Sequence, residues 1–216
     1  IFILCNIVDV MDSNKSAASQ VCGNRTAWFG VLFYMSQEAE TGAVVGNAGR
    51  FEEQMLPHLD AAYNLARHLT RNDHDAEDVV QEAYLRALRH FGTFRGQNAR
   101  AWLLAIVRHT TYTRRRRDQV ASITAEFNDE LHSGAAEERG PERDLDRRET
   151  VARVQSALDC LPPRFREVLV LRDLEDLSYE EIGRIVRAPI GTVMSRLSRA
   201  RARLAQALTT EGDGTP

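Results

Sequence analysis

The chain has 216 residues, 28 basic against 31 acidic side chains and a formal net charge of −3, enough length for one large or two small cores and no overall basicity. Its three cysteines, Cys5, Cys22 and Cys160, are far apart and show no CxxC or Cys/His ligand spacing, so neither a disulfide framework nor a zinc site is supported and no cofactor is expected. No apolar run approaches the ~18 residues of a membrane helix, and no basic segment leads into an apolar one at the start, so the expectation is a soluble cytoplasmic protein without membrane insertion.

Residues 1–48 carry two short apolar patches, IFILCNIVDV and WFGVLFY, without sustained helical or alternating periodicity. Met35-Ser-Gln-Glu reads like a natural beginning. The expectation is a disordered leader over 1–48, with 1–34 translated upstream sequence; the alternative is an N-terminal sensor or anchor carrying Cys5 and Cys22.

A helix is predicted from Phe51 to Arg71, with Phe51, Met55, Leu59, Ala62, Leu65, Ala66 and Leu69 as its apolar stripe. A second follows in NDHDAEDVVQEAYLRALRHF, where acids crowd the first turns and Arg86 and Arg89 lie near the end, the order that suits the helix dipole. Val79, Val80, Ala83, Ala87, Leu88 and Phe91 face inward, which leaves Asp78, Gln81, Glu82 and Leu85 outside. A Leu exposed among carboxylates suggests a partner surface; the plainer reading is a solvated, dipole-compensated face.

Gly92 to Asn98 is a loop by its glycines, and ARAWLLAIVRHTTYTRRRRD resumes a helix with Trp102, Leu103, Ile106, Val107 and Thr110 inward. From Arg86 to Arg117 there are nine arginines and no acid. That sign, with Phe94, Trp102, His109 and Tyr112 interleaved, suits a groove that tracks a nucleic-acid backbone and stacks unstacked bases. Each part also has a bland reading, Trp102 as core and the RRRR run as a solvated helix end.

Asp118 to Glu149 holds ten acids against four arginines, with Ser133-Gly134 and Gly140-Pro141 as breakers, and reads as a flexible linker over 118–149 between two helical domains, 49–117 and 150–208. Its acidity suggests a segment that covers the basic groove when DNA is absent. A helical pattern resumes near Thr150 with Val151, Val154, Ala157, Leu158 and Leu161 on one face; Pro162-Pro163 stops it and FREVLVLRDL supplies another core helix.

In LSYEEIGRIVRAPIGTVMSRLSRARARLAQAL, Ser178 and Glu181 form a capping box, with Leu177 and Ile182 placed for a hydrophobic staple. Ala188 to Gly191 interrupts the pattern, and Thr192 reads as the N-cap of a second helix whose apolar positions are Val193, Leu197, Ala200, Leu204 and Leu208. Six arginines and no acid lie between Ile182 and Leu204. This is the layout of a helix-turn-helix whose second helix enters a major groove, the alternative being a helical hairpin with a solvated basic face. Residues 209–216 read as a disordered tail.

DAEDVVQEAYLRAL and LPPRFREVLVLRDLEDLSYEEIGRIVRAPIGTVMSRLSRARARL, in this order, closely resemble the extracytoplasmic-function sigma factors of the sigma-70 family over about Phe51 to Leu208, without most of the linker. The resemblance implies an all-α chain of two small domains, the C-terminal one a helix-turn-helix, that catalyses nothing itself. It implies core RNA polymerase as partner, with Asp78, Gln81, Glu82 and Leu85 against the β′ clamp helices and a further contact on the β flap. The −10 promoter element falls to Phe94, Arg95, Asn98, Arg100, Trp102, Arg108, His109, Tyr112, Arg115 and Arg116. The −35 element falls to Thr192, Ser195, Arg196, Arg199, Arg201 and Arg203, with Arg196 and Arg199 toward bases and Arg201 and Arg203 toward phosphates. An anti-sigma factor is implied as a further partner. Many members carry Asn where His109 stands and Asp where Thr113 stands, so no −10 consensus transfers. The alternative class is a two-domain helix-turn-helix regulator acting without polymerase.

Overall fold

The computed structural model describes residues 45–96, 98–124 and 145–210. Nearly all of the expected leader, most of the expected linker and the end of the expected tail lie outside them. Every regular element among the described residues is helical.

The first predicted helix is two. Helix α1 spans Val45–Met55, a 3-10 turn takes Leu56–His58, and α2 spans Leu59–Thr70. Pro57 is the reason: it has no amide to donate and its ring displaces the preceding turn. Helix α2 stops at Arg71, which turns left-handed at φ 64° and donates its amide to the Arg67 carbonyl at 2.8 Å.

Helix α3, Asp73–His90, starts where the Asn72 side chain accepts from the Asp75 amide at 3.1 Å. Its buried face is Ala76, Val79, Val80, Ala83, Tyr84 and Ala87. Tyr84 was not among the expected inward residues; it is buried because its hydroxyl donates to the Met55 carbonyl at 2.9 Å, tying α3 to the end of α1. Helix α4, Ala99–Thr124, buries Leu103, Leu104, Val107, Thr110 and Thr111, and runs past Arg117 into the stretch whose composition suggested a linker.

The C-terminal half begins with α5, Leu145–Cys160, also inside that acidic stretch. Pro163 opens α6, Pro163–Leu169, at the first-turn position where a missing amide costs nothing. A wide π-type turn, Val170–Leu174, follows. The capping box of α7, Tyr179–Val186, is present in both directions: Ser178 Oγ accepts from the Glu181 amide at 3.2 Å and Glu181 Oε2 from the Ser178 amide at 2.8 Å. Leu177 and Ile182 are both buried beside it.

Gly183 is required there, because a Cβ would lie 2.9 Å from the Ala188 carbonyl oxygen. Helix α8, Ile190–Thr210, begins three residues before Val193, the start expected from a Thr192 cap. The Pro189 carbonyl accepts from the amides of Thr192 at 2.9 Å and Val193 at 3.1 Å, so Thr192 lies inside the first turn and is not the cap.

The two bundles pack on one another through α2 against α6 and the π turn, and α4 against α7. Their buried apolar residues form one continuous cluster, from Phe51 and Leu65 to Ile182 and Leu197. Each large aliphatic side chain buried this way contributes roughly 1.5–3 kcal/mol before entropy is counted. Arg166, 1% exposed, binds the seam: it donates to the carbonyls of Leu158 at 2.8 Å, Asp159 at 2.7 Å and Leu161 at 2.8 Å, and across to His68 of α2 at 2.8 Å. Burial lowers its pKa to about 10, so it stays charged at neutral pH.

Candidate nucleic-acid interface

The loop before α4 is built on aromatic contacts. Phe51 meets Phe91 edge-on at 5.3 Å, Phe91 stacks on Phe94 at 5.9 Å, and Phe94 meets Trp102 at 5.2 Å. Phe94 and Trp102 are partly buried against the core, so their rings are braced from behind. Gly96 takes φ +76°, which a side chain would strain. Beside the loop a cleft of about 460 Å³ is lined by Arg50, Gln54, Phe91, Phe94 and Arg95. Gln54 was not anticipated as part of this region, and its Oε1 is buried without a hydrogen-bond partner.

The expected −10 residues separate into three groups. Arg95, His109, Arg115 and Arg116 are exposed. Phe94 and Trp102 belong to the aromatic stack. Asn98, Arg100, Arg108 and Tyr112 face the C-terminal domain: Asn98 donates to Glu181, Arg100 to Glu175 and Arg108 to Glu167, and the Tyr112 hydroxyl donates to Glu167 at 3.4 Å. Asn98 also caps α4, its Oδ1 accepting from the Ala101 amide at 2.9 Å.

The Glu167 and Glu175 side chains are each 2% exposed, and Arg108 stacks over the Tyr112 ring at 4.9 Å. Burial, opposed by Arg108, raises the Glu167 pKa, and burial first and the Glu167 charge second push Tyr112 up to about 12. Glu181 moves the other way, its carboxylate favoured chiefly by the Ser178 amide. Most of the acidic linker expected to cover this groove lies outside the described residues; among those described, acids of the C-terminal domain meet this edge of α4. Their spacing carries no signal of that, because each pair joins residues 55 or more positions apart.

On α3, Asp78, Gln81, Glu82 and Leu85 lie on one half-exposed face, and Leu85 is less open than its expected exposure. Asp78 accepts from Arg114 at 2.8 Å, and Glu82 from Arg86 at 2.5 Å and from Arg117 at 3.4 Å. The far end of the arginine run is therefore spent partly on neutralising this face.

On the helix-turn-helix, Ser195, Arg199 and Arg203 are exposed, Thr192 and Arg196 half-exposed, and Ser195 donates to the Thr192 carbonyl at 3.0 Å. Arg203 stacks over Phe165 at 4.9 Å. Arg201 forms a fork with Asp173, which holds its guanidinium away from the free face. Ile190 and Met194, 43% and 52% exposed, were passed over because apolar residues in a helix ordinarily read as core. They stand at the start of α8, where a recognition helix meets base edges. Among the described residues there is no group of three or more His, Cys, Asp or Glu able to hold a metal, and no helix long and apolar enough to cross a membrane.

Two family models match: sigma-70 region 2 over residues 55–120 and sigma-70 region 4 over 152–204. The ECF RNA polymerase sigma factor SigE of Mycolicibacterium smegmatis is 36% identical over 157 residues, 71% of this chain and 60% of that one, so this chain spans less than two thirds of its length. The RNA polymerase sigma-H factor of Pseudomonas aeruginosa is 34% identical over 170 residues, 76% of this chain and 88% of that one. The ECF RNA polymerase sigma-E factor of Escherichia coli is 37% identical over 134 residues, 59% and 70%. Among solved structures, the Bartonella quintana sigma factor RpoE in complex with the anti-sigma factor NepR matches with TM-score 0.61 and 29% identity, covering 74% of this chain and 97% of that one. CnrH in complex with the cytosolic domain of CnrY matches with TM-score 0.57 and 26% identity, covering 78% and 93%.

Proposed function

The chain belongs to the extracytoplasmic-function sigma factors of the sigma-70 family, and we propose that it binds core RNA polymerase, recognises −10 and −35 promoter elements and opens the duplex for initiation. The observation that carries this reading is the pairing of a region 2 match over 55–120 with a region 4 match over 152–204 on one helical chain. One surface suits splayed single strands and the other a duplex groove, and initiation needs both.

In this reading Asp78, Gln81, Glu82 and Leu85 dock on the β′ clamp helices and the C-terminal domain reaches the β flap. Phe94, Trp102 and the cleft beside them receive an unstacked base, while Asn98, Arg100, Arg108, Tyr112 and the exposed Arg95, His109, Arg115 and Arg116 follow the strand. Thr192, Ser195, Arg196 and Arg199 read the −35 duplex, with Met194 added to them. Arg203 stays a phosphate contact, and Arg201 becomes a brace for the helix. Domain boundaries follow the bundles, about 49–124 and 145–208. The related Bartonella quintana sigma factor is held by an anti-sigma factor, NepR, which supports such a partner here. The chemistry of transcription belongs to the polymerase, and the chain acts inside the cell with it.

The test is retention of the full chain on core polymerase lacking any sigma factor, followed by transcription from a fragmented genomic library. Retention with new discrete start sites is the expected result. DNA binding by the chain with no retention on polymerase would replace this reading with a polymerase-independent regulator.

A further inference from the structure

Gln54 stands on α1 beside the loop that carries Phe94, and the backbone there is fixed from two sides. Phe51, one turn earlier, meets Phe91 edge-on at 5.3 Å and Tyr84 edge-on at 6.2 Å. Met55, the next residue, is fully buried, and its carbonyl accepts from the Tyr84 hydroxyl at 2.9 Å. The Gln54 side chain therefore projects from a rigid support while it lines the cleft of about 460 Å³ with Arg50, Phe91, Phe94 and Arg95. Clefts that hold a small planar ligand run from roughly 300 to 1,000 Å³.

The cleft contains an unfilled acceptor. Gln54 Oε1 is buried and accepts no hydrogen bond, a state that is unfavourable until a donor arrives. The terminal torsion of a glutamine is broad, so its amide turns toward the cleft without any movement of α1. It then presents an acceptor and a donor side by side. An amino group next to a bare ring nitrogen matches that pair, and adenine and cytosine both carry one on the Watson–Crick edge. Guanine's amino group stands beside a protonated ring nitrogen, which would oppose the amide's own N–H. Thymine has no amino group. Arg50 and Arg95 supply donors only, so the amide is what distinguishes one base edge from another.

We propose that Gln54 selects the extruded base of the −10 element, admitting adenine or cytosine over guanine and thymine. The proposal rests on the reading of this cleft as the place of an unstacked base and adds the residue that chooses which base enters. Phe94 cannot make that choice, because every base offers a π face to an aromatic ring.

The experiment uses polymerase loaded with the full chain, either wild type or Gln54→Leu, which keeps the bulk and removes both polar groups. The control is Glu53→Gln, an exposed neighbour on the same helix. The probe is a promoter taken from the start sites that the genomic library yields, with its −10 segment randomised, and the transcribed sequences are counted at each position. Circular dichroism verifies folding; if Gln54→Leu melts early, Gln54→Met replaces it.

The expected result for wild type and control is about ten-fold enrichment of adenine or cytosine at one −10 position. Gln54→Leu should bring all four bases at that position within two-fold of one another and leave every other position unchanged. An unchanged preference in the variant, a loss spread evenly over all positions, or wild-type enrichment of guanine or thymine at the responding position overturns the proposal alone. If wild type shows no preference at any −10 position, the reading of the cleft as a base site fails and takes the proposal with it.

Discussion

Arg201 grips Asp173 with two donors, Nε to Oδ2 at 3.1 Å and Nη2 to Oδ1 at 2.5 Å, and so ties the recognition helix to the π turn. Asp173 is only 13% exposed, so removing its partner leaves a largely buried charge unpaired. Arg201→Ala is expected to lower stability by about 1–3 kcal/mol, read from the denaturant midpoint. Arg201→Lys keeps the charge but not the fork and should lose most of that stability. Arg201→Ala should leave the salt dependence of promoter binding unchanged; a slope reduced by about one in the Ala variant would make Arg201 a phosphate contact after all.

Gly183 leaves no room for a methyl group. Its Cβ would sit 2.9 Å from the Ala188 carbonyl oxygen, a backbone atom that cannot rotate away. Gly183→Ala should widen the helix-turn-helix and destabilise the C-terminal domain by roughly 1–3 kcal/mol. Thermal melting monitored by circular dichroism measures it, and an unchanged midpoint would show that the turn relaxes freely.

His68, 2% exposed, has its pKa lowered to about 4 from 6.5, chiefly by burial, with Arg67 and Arg166 acting the same way and Asp159 opposing. The unfolded chain therefore binds the proton first: stability is complete above pH 6.5 and is lost as pH falls toward 4. The lowering from 6.5 to about 4 corresponds to roughly 3 kcal/mol over that window. Glu167, its pKa raised by burial, has the opposite slope, so the informative quantity is wild type minus His68→Gln at each pH. A difference that does not change between pH 7 and 4.5 would contradict the assignment.

The acidic face and the recognition helix should fail separately. Leu85→Asp is expected to reduce retention on core polymerase at least ten-fold while leaving duplex binding by the chain intact. Arg196→Ala/Arg199→Ala should lower initiation at −35-dependent promoters with retention unchanged, and equal loss of retention would refute the division. Met194→Ala should relax preference at a single −35 position by about 1 kcal/mol, the worth of an apolar contact to a thymine methyl. Binding to a library of randomised −35 sequences shows whether any position responds.

Much of this protein was legible one helix at a time. The Ser178/Glu181 box, the Asn72 cap and the buried stripes of α3 and α8 depend on residues three or four positions apart, and a helix brings those together wherever it lies. Even the errors there were local: Pro57 splits the first helix, and the Pro189 carbonyl takes the capping place expected of Thr192. The acid-free arginine runs pointed to nucleic acid on composition alone. What the tertiary structure decided was which arginines remain free. Arg100, Arg108, Arg114 and Arg201 each meet an acid at least 28 positions away, pairs that exist only because packing sets those helices side by side. Charge along the chain shows how much basic surface there is; only the packing of helices distant in sequence determines how much of it the protein's own acids take up.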